Sequence, residues 1–154
     1  MSSKIEGDDA LFPGQVVAQG APVDLENVVT RKYGRGLRAY VKALDLNAAA
    51  PSDLAAITVI SARYIPVRAY VYDPSGNMAA ATLGIYTATG AGGTAVVTPV
   101  LLANLTGVDK FQELTIAVTS SLLVATTLYP RLTVASGVAG TASLVIELLD
   151  VDLH

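Results

Sequence analysis

Asp150, Asp152 and His154 stand two residues apart, so in a strand all three side chains project from one face. Oxygen and imidazole donors at that spacing could clasp a divalent metal. The same pattern also suits the outward face of an edge strand, where charge discourages aggregation. The sequence is read the second way, and no metal site is expected. His154 is the single histidine and the last residue. A Ser-His-Asp arrangement needs its imidazole held between nucleophile and carboxylate, which a terminal side chain does not offer.

Asp109 and Glu113, four residues apart, are the nearest approach to an acid/base pair. No second polar cluster lies beside them, and they read as solvated loop charges. Thr89-Gly90-Ala91-Gly92-Gly93-Thr94 has the look of a phosphate loop. A phosphate loop needs a helix N-terminus after it, so that several N–H groups converge on the anion. Here Ala95-Val96-Val97-Thr98-Pro99 follows, which is strand-like, so the glycines are read as a hairpin turn. No catalytic residue and no cofactor are expected, and the chain is read as a non-enzyme.

Two stretches hold potential for binding. Residues 31–42 carry Arg31, Lys32, Arg35, Arg38 and Lys42, with Tyr33 and Tyr40 among them and no acid. Such a run can grip single-stranded nucleic acid through phosphates and stacking, dock on an acidic protein surface, or stay solvated. Arg68, Tyr70 and Tyr72 share the strand face opposite Val67, Ala69 and Val71. That face suits a sugar ring, a second sheet or a neighbouring subunit, although Trp, the strongest ring for sugar stacking, is absent.

The bulk of the chain narrows these choices. Its 154 residues fit one domain, or one domain with an arm. Charged residues make up 15 % against a usual fraction of about 25 %, so much of the surface is neutral or meets other protein. The net charge of −3 offers no global attraction for nucleic acid. With no cysteine, disulfides and thiol chemistry are excluded. Residues 1–9 lack the apolar core of a signal peptide. The longest charge-free stretch, between Asp73 and Asp109, is broken by Thr, Gly, Pro and Asn, so no membrane span is expected.

The elements that must position the candidates are strands. Residues 1–53 hold 6 of the 10 basic and 7 of the 13 acidic side chains and end in the linker Asn47-Ala48-Ala49-Ala50-Pro51-Ser52-Asp53. They are read as an extended arm, with one short strand at 15–18. Residues 54–154 alternate at period two, the mark of half-buried strands. Strands are expected over 57–61, 66–72, 81–88, 94–98, 114–118, 123–128 and 129–134, and from 144 onward, with a β-turn at Asp73-Pro74-Ser75-Gly76-Asn77. A helical turn is expected near 108–112. The apolar phase jumps from Leu144, Ile146 and Leu148 to Leu149, Val151 and Leu153, which predicts a bulge at 148/149 or a strand continuing into a second environment. The fold class is all-β, a two-sheet sandwich of jelly-roll type with an extended N-terminal arm.

The segments Arg63-Tyr64-Ile65-Pro66-Val67-Arg68-Ala69-Tyr70-Val71-Tyr72, Gly84 to Val97, Lys110 to Val118, Leu128 to Gly137 and Gly140 to Ile146 resemble, in pattern and composition, the head decoration or cement proteins of tailed bacteriophages. The likeness covers roughly residues 55–153. It implies a structural protein on the capsid exterior, assembled in the host cytoplasm. Its implied partners are the major capsid protein and itself, as a homotrimer. Arg31, Lys32, Arg35, Arg38 and Lys42 would then make the polar contacts of an arm with the capsid, and Arg68, Tyr70 and Tyr72 would lie at the subunit interface. Two other readings stay open: a carbohydrate- or receptor-binding sandwich of a phage tail or fibre, and a nucleic-acid-binding protein using residues 31–42.

Overall fold

A computed structural model describes residues 35–151. The short strand expected at 15–18, the arm over 1–30, and Arg31, Lys32, Asp152 and His154 lie outside them. Nine strands run in chain order: β1 (Arg35–Asp45), β2 (Ser52–Asp53), β3 (Ile57–Thr58), β4 (Tyr64–Tyr72), β5 (Thr82–Ala88), β6 (Gly92–Leu101), β7 (Phe111–Leu114), β8 (Thr127–Val134) and β9 (Thr141–Asp150). One sheet has the order β1-β9-β4-β7. The other has the order β2-β8-β5-β6, with β3 also on β8.

β2 and β3 pair with successive parts of β8, Asp53 opposite Arg131 and Ile57 opposite Leu128, so they form one interrupted strand. Counted that way there are eight strands. The first pairs with the last, the second with the seventh, the third with the sixth and the fourth with the fifth. This is the rolled hairpin of a jelly roll.

Pro130 explains the interruption. Its carbonyl accepts from Leu54 N–H at 2.8 Å. In a strand a residue's N–H and C=O face the same neighbour, so the donor that proline lacks would also have faced this side. The ladder opens where no N–H can be offered.

Most alternating apolar positions face inward; Val67, expected to share a face with Ala69 and Val71, is exposed, and Pro66 is buried instead. Ala69 and Val71 of β4, Leu128 and Leu132 of β8, and Leu144, Ile146 and Leu148 of β9 are buried in one core with Leu44, Leu46, Ile57, Leu83 and Ile85. Each fully buried aliphatic side chain contributes roughly 1.5–3 kcal/mol. Among the described residues no helix is long and apolar enough to cross a membrane.

Several expectations shift. The division expected at 53/54 falls inside the sandwich: β1 and β2 are its first two strands, and the compact unit runs from Gly36 to Asp152. Arg35–Asp45 is therefore sheet. Leu37, Ala39 and Val41 turn inward, then Ala43 at φ +56° breaks the phase and Leu44 and Leu46 take over. The strand expected at 114–118 is ladder only over Phe111–Leu114, after which Ala117 N–H alone reaches the Val96 carbonyl at 2.8 Å. The helical turn expected near 108–112 is a turn closed by Lys110 N–H on the Gly107 carbonyl. The strand expected at 123–128 reduces to a single bridge, Leu123 with Tyr64, before β8 begins.

The bulge lies across the ladder from its expected place. β4 slips between Pro66 and Arg68, opposite Leu148 and Glu147, leaving Val67 50 % exposed. β9 itself keeps its phase. The inward position after Leu148 is Asp150, 4 % exposed, whose Oδ1 accepts from Ser61 Oγ at 2.7 Å.

Candidate interaction surface

The two binding stretches picked out in the sequence meet on one face. β1 and β4 flank β9, and the outward residues of all three strands line a trough of about 840 Å³. Arg38, Tyr40 and Lys42 form one wall. Tyr70 and Tyr72 form the other, joined by Phe111 from β7. Val145 and Glu147 of β9 lie between. The register fixes this placement: Tyr70 stands opposite both Val145 and Glu113, Tyr72 opposite Phe111, and Arg68 opposite Glu147. A short side chain at Val145 between taller aromatic rows makes the floor, two strand spacings or roughly 10 Å across. A second hollow continues past Arg38 and Glu147 to Gly36 and the Val67 bulge.

The face is aromatic and exposed. Tyr40 is 59 % and Phe111 62 % accessible. Tyr70 and Phe111 meet edge to face, with ring centroids 6.2 Å apart at 64°, a geometry that holds both rings without hiding them. Arg68 Nη1 donates to the Tyr70 hydroxyl at 3.2 Å, and Arg68 Nε lies 3.8 Å from Glu147 Oε1. The tyrosine hydroxyl first, and then Glu113 and Glu147, push the guanidinium of Arg68 above its ordinary value. Arg38 and Lys42 differ: the described ion pairs are Arg68–Glu147, Lys110–Asp109 and Arg131–Asp53, and neither residue takes part.

The remaining candidates do not gather. Asp150 turns into the sandwich toward Ser61, so it does not share an outward face in the way its spacing suggested. Asp109 faces Lys110, and Glu113 sits on the outer sheet face opposite Tyr70. Among the described residues no group of three or more His, Asp or Glu side chains is placed to hold a metal ion. The glycine segment is the expected hairpin: a single 3-10 turn, Thr89–Ala91, joins β5 to β6. Gly90 N–H is turned to Asp53 Oδ2 at 2.9 Å, and Thr94 N–H to Thr87 Oγ1 at 2.7 Å.

Sequence reasoning missed Phe111, whose strand is four residues long and follows a turn. It also treated Arg38 and Lys42 as belonging to a different surface from Arg68, Tyr70 and Tyr72. Comparison with protein-family models, with curated proteins and with solved structures finds no match.

Proposed function

We propose that this chain is a non-enzymatic structural protein of the phage head-decoration type, which binds a capsid exterior through the outer face of the four-stranded sheet. The observation that carries the reading is the convergence of Arg38, Tyr40 and Lys42 with Tyr70, Tyr72 and Phe111 on one broad, exposed face of a sandwich. Tyr, Phe and Arg are the residues enriched where proteins bind proteins. The segments that resemble decoration proteins support it by their position, falling on β4, on the β5–β6 hairpin, on β7, and on β8 and β9. The jelly roll is a shell-building architecture in viral coats, although a fold alone assigns no function. Self-association as a trimer belongs to the same proposal and is read out by light scattering of the purified chain.

The test is the copy number of the protein in gradient-purified particles from its source, relative to the major capsid protein. Hundreds of copies, in a simple ratio to the capsid subunit, support the reading. Absence from particles overturns it. The same exposed rings favour one second reading, a sugar-binding component of a tail or fibre. That reading predicts about a dozen copies or fewer and hits on a glycan array.

A further inference from the structure

We infer that the trough over β9 takes an extended acidic segment of a partner protein, its carboxylates four residues apart on Arg38 and Lys42 and an apolar side chain between them on Tyr40. The inference rests on the proposed lattice-binding role and specifies the chemistry of the contact.

The repeat of the wall comes first. Arg38, Tyr40 and Lys42 occupy successive outward positions of β1, so their side chains recur about every 6.8 Å. An extended polypeptide repeats its side chains at the same interval. A segment lying along β1 therefore keeps register with all three residues at once. The trough is one strand wide, and its continuation along β1 and β9 gives it the length an extended segment needs. Among the described residues, no strand pairs with the outer margin of β1, the last strand of its sheet on that side.

Charge selects the occupant. Arg68 already faces Glu147 and the Tyr70 hydroxyl, so the cations of this face outside the described ion pairs are Arg38 and Lys42. Two such charges match two carboxylates. They do not match a polyphosphate, which draws its affinity from many neutralised phosphates. A second copy meeting the face about a two-fold axis would present the same cations, and like charges across an interface disfavour it.

The experiment uses the full chain and a short fluorescein-labelled peptide, Thr-Ser-Asp-Thr-Leu-Thr-Asp-Ser-Thr, read by fluorescence anisotropy. A peptide with Lys in place of both Asp serves as control, and oligo(dT) as competitor. The expected result is saturable binding of the Asp peptide, weaker by about tenfold for the Lys peptide, and loosened by salt. The double variant Arg38→Glu, Lys42→Glu is expected to reverse the preference while keeping the wild-type melting curve, since both side chains are exposed. No binding of the Asp peptide, an unchanged preference in the double variant, or capture of oligo(dT) in its place would each overturn the inference.

Co-sedimentation with purified particles separates this result from the role itself. If wild type and double variant co-sediment equally, the trough is not the contact, and the decoration role stands. If the wild type does not co-sediment but the peptide preference reverses, the role fails and the trough stands.

Discussion

Asp53 and Arg131 stand directly opposite each other on β2 and β8, with Arg131 Nη1 donating to Asp53 Oδ1 at 2.8 Å while Asp53 Oδ2 accepts from Gly90 N–H at 2.9 Å. One carboxylate thereby ties the edge strand β2 to its neighbour and to the β5–β6 turn. The Gly90 amide first, and then the Arg131 guanidinium, hold its pKa below the usual carboxylate value. A lowered folded pKa stabilises the fold above the unfolded value of about 3.9, and that stabilisation is lost as pH falls through the folded value. Asp53→Asn is expected to lose about 1–2 kcal/mol at neutral pH. The gap to wild type should begin to close below about pH 4. Urea denaturation of both proteins across a pH series measures it.

Tyr64 sets the opposite dependence. It is fully buried, donates to the Ala125 carbonyl at 2.7 Å, and burial pushes its hydroxyl up to about 12. The folded pKa is raised, so the stabilisation is present below about pH 10, the unfolded value, and is lost as pH rises through about 12. Tyrosinate absorbance should show one late step that Tyr64→Phe removes. The same change leaves the Ala125 carbonyl short of a donor, at a cost of about 1–2 kcal/mol.

Gly90 and Gly93 separate two kinds of cost within one turn. Both have positive φ, +67° and +68°. A methyl group at Gly90 meets open space, whereas at Gly93 it runs into Thr87 Oγ1, the acceptor of the Thr94 amide. Gly90→Ala is expected to cost about 1 kcal/mol from backbone conformation alone. Gly93→Ala should cost at least about 1 kcal/mol more, because the hydroxyl must move and its hydrogen bond is lost. Chemical denaturation of the two variants side by side decides whether the order holds.

A chain beginning at residue 54, where the composition changes, is expected not to fold. It lacks β1 and β2, and with them Leu44 and Leu46, which are fully buried. Leucines of this kind cost about 2–5 kcal/mol each when cut to alanine, and whole domains hold only about 5–15 kcal/mol. Loss of a cooperative melt in circular dichroism is the expected outcome. A cooperative melt would place the folding unit back at 53/54.

Tyr40→Ser should change stability by less than about 0.5 kcal/mol because its ring is largely exposed, and Phe111→Ser by about 1 kcal/mol because it also loses the edge-to-face contact with Tyr70. Their effect belongs to particle binding, which should weaken by about fivefold or more if these rings anchor the contact.

The strands that could be read from the sequence are those whose pattern is uninterrupted. Residues 66–72 end at a Pro-Gly turn, and the glycines at 90–93 sit between two apolar runs, so β4 and the β5–β6 hairpin stand close to where expected, although the bulge at Val67 breaks the alternation of β4. β1 was hidden by two features. Its phase breaks at Ala43, and five cations in 31–42 resemble a solvated arm. The apolar shift from Leu148 to Leu149 marks no bulge in β9. The strand continues in phase with a buried carboxylate, Asp150, and the extra residue is Val67 on its partner. The shared face could not be read at all, because Arg38 and Tyr70 become neighbours across β9 only when the first and third strands of the roll flank the last. Period-two patterning says which way a side chain points but not which strand lies beside it.

Pro130 has an effect beyond its own ladder. By dividing the second strand of the roll into pieces of two residues each, it leaves one margin of the five-stranded sheet with no run long enough to template a foreign strand. The opposite sheet keeps an eleven-residue margin in β1, marked by Arg38 and Lys42. Among the described residues, the margins long enough to accept a strand are β1 and, at the far edge of the five-stranded sheet, the ten-residue β6, so the divided strand is the margin closed to strand addition.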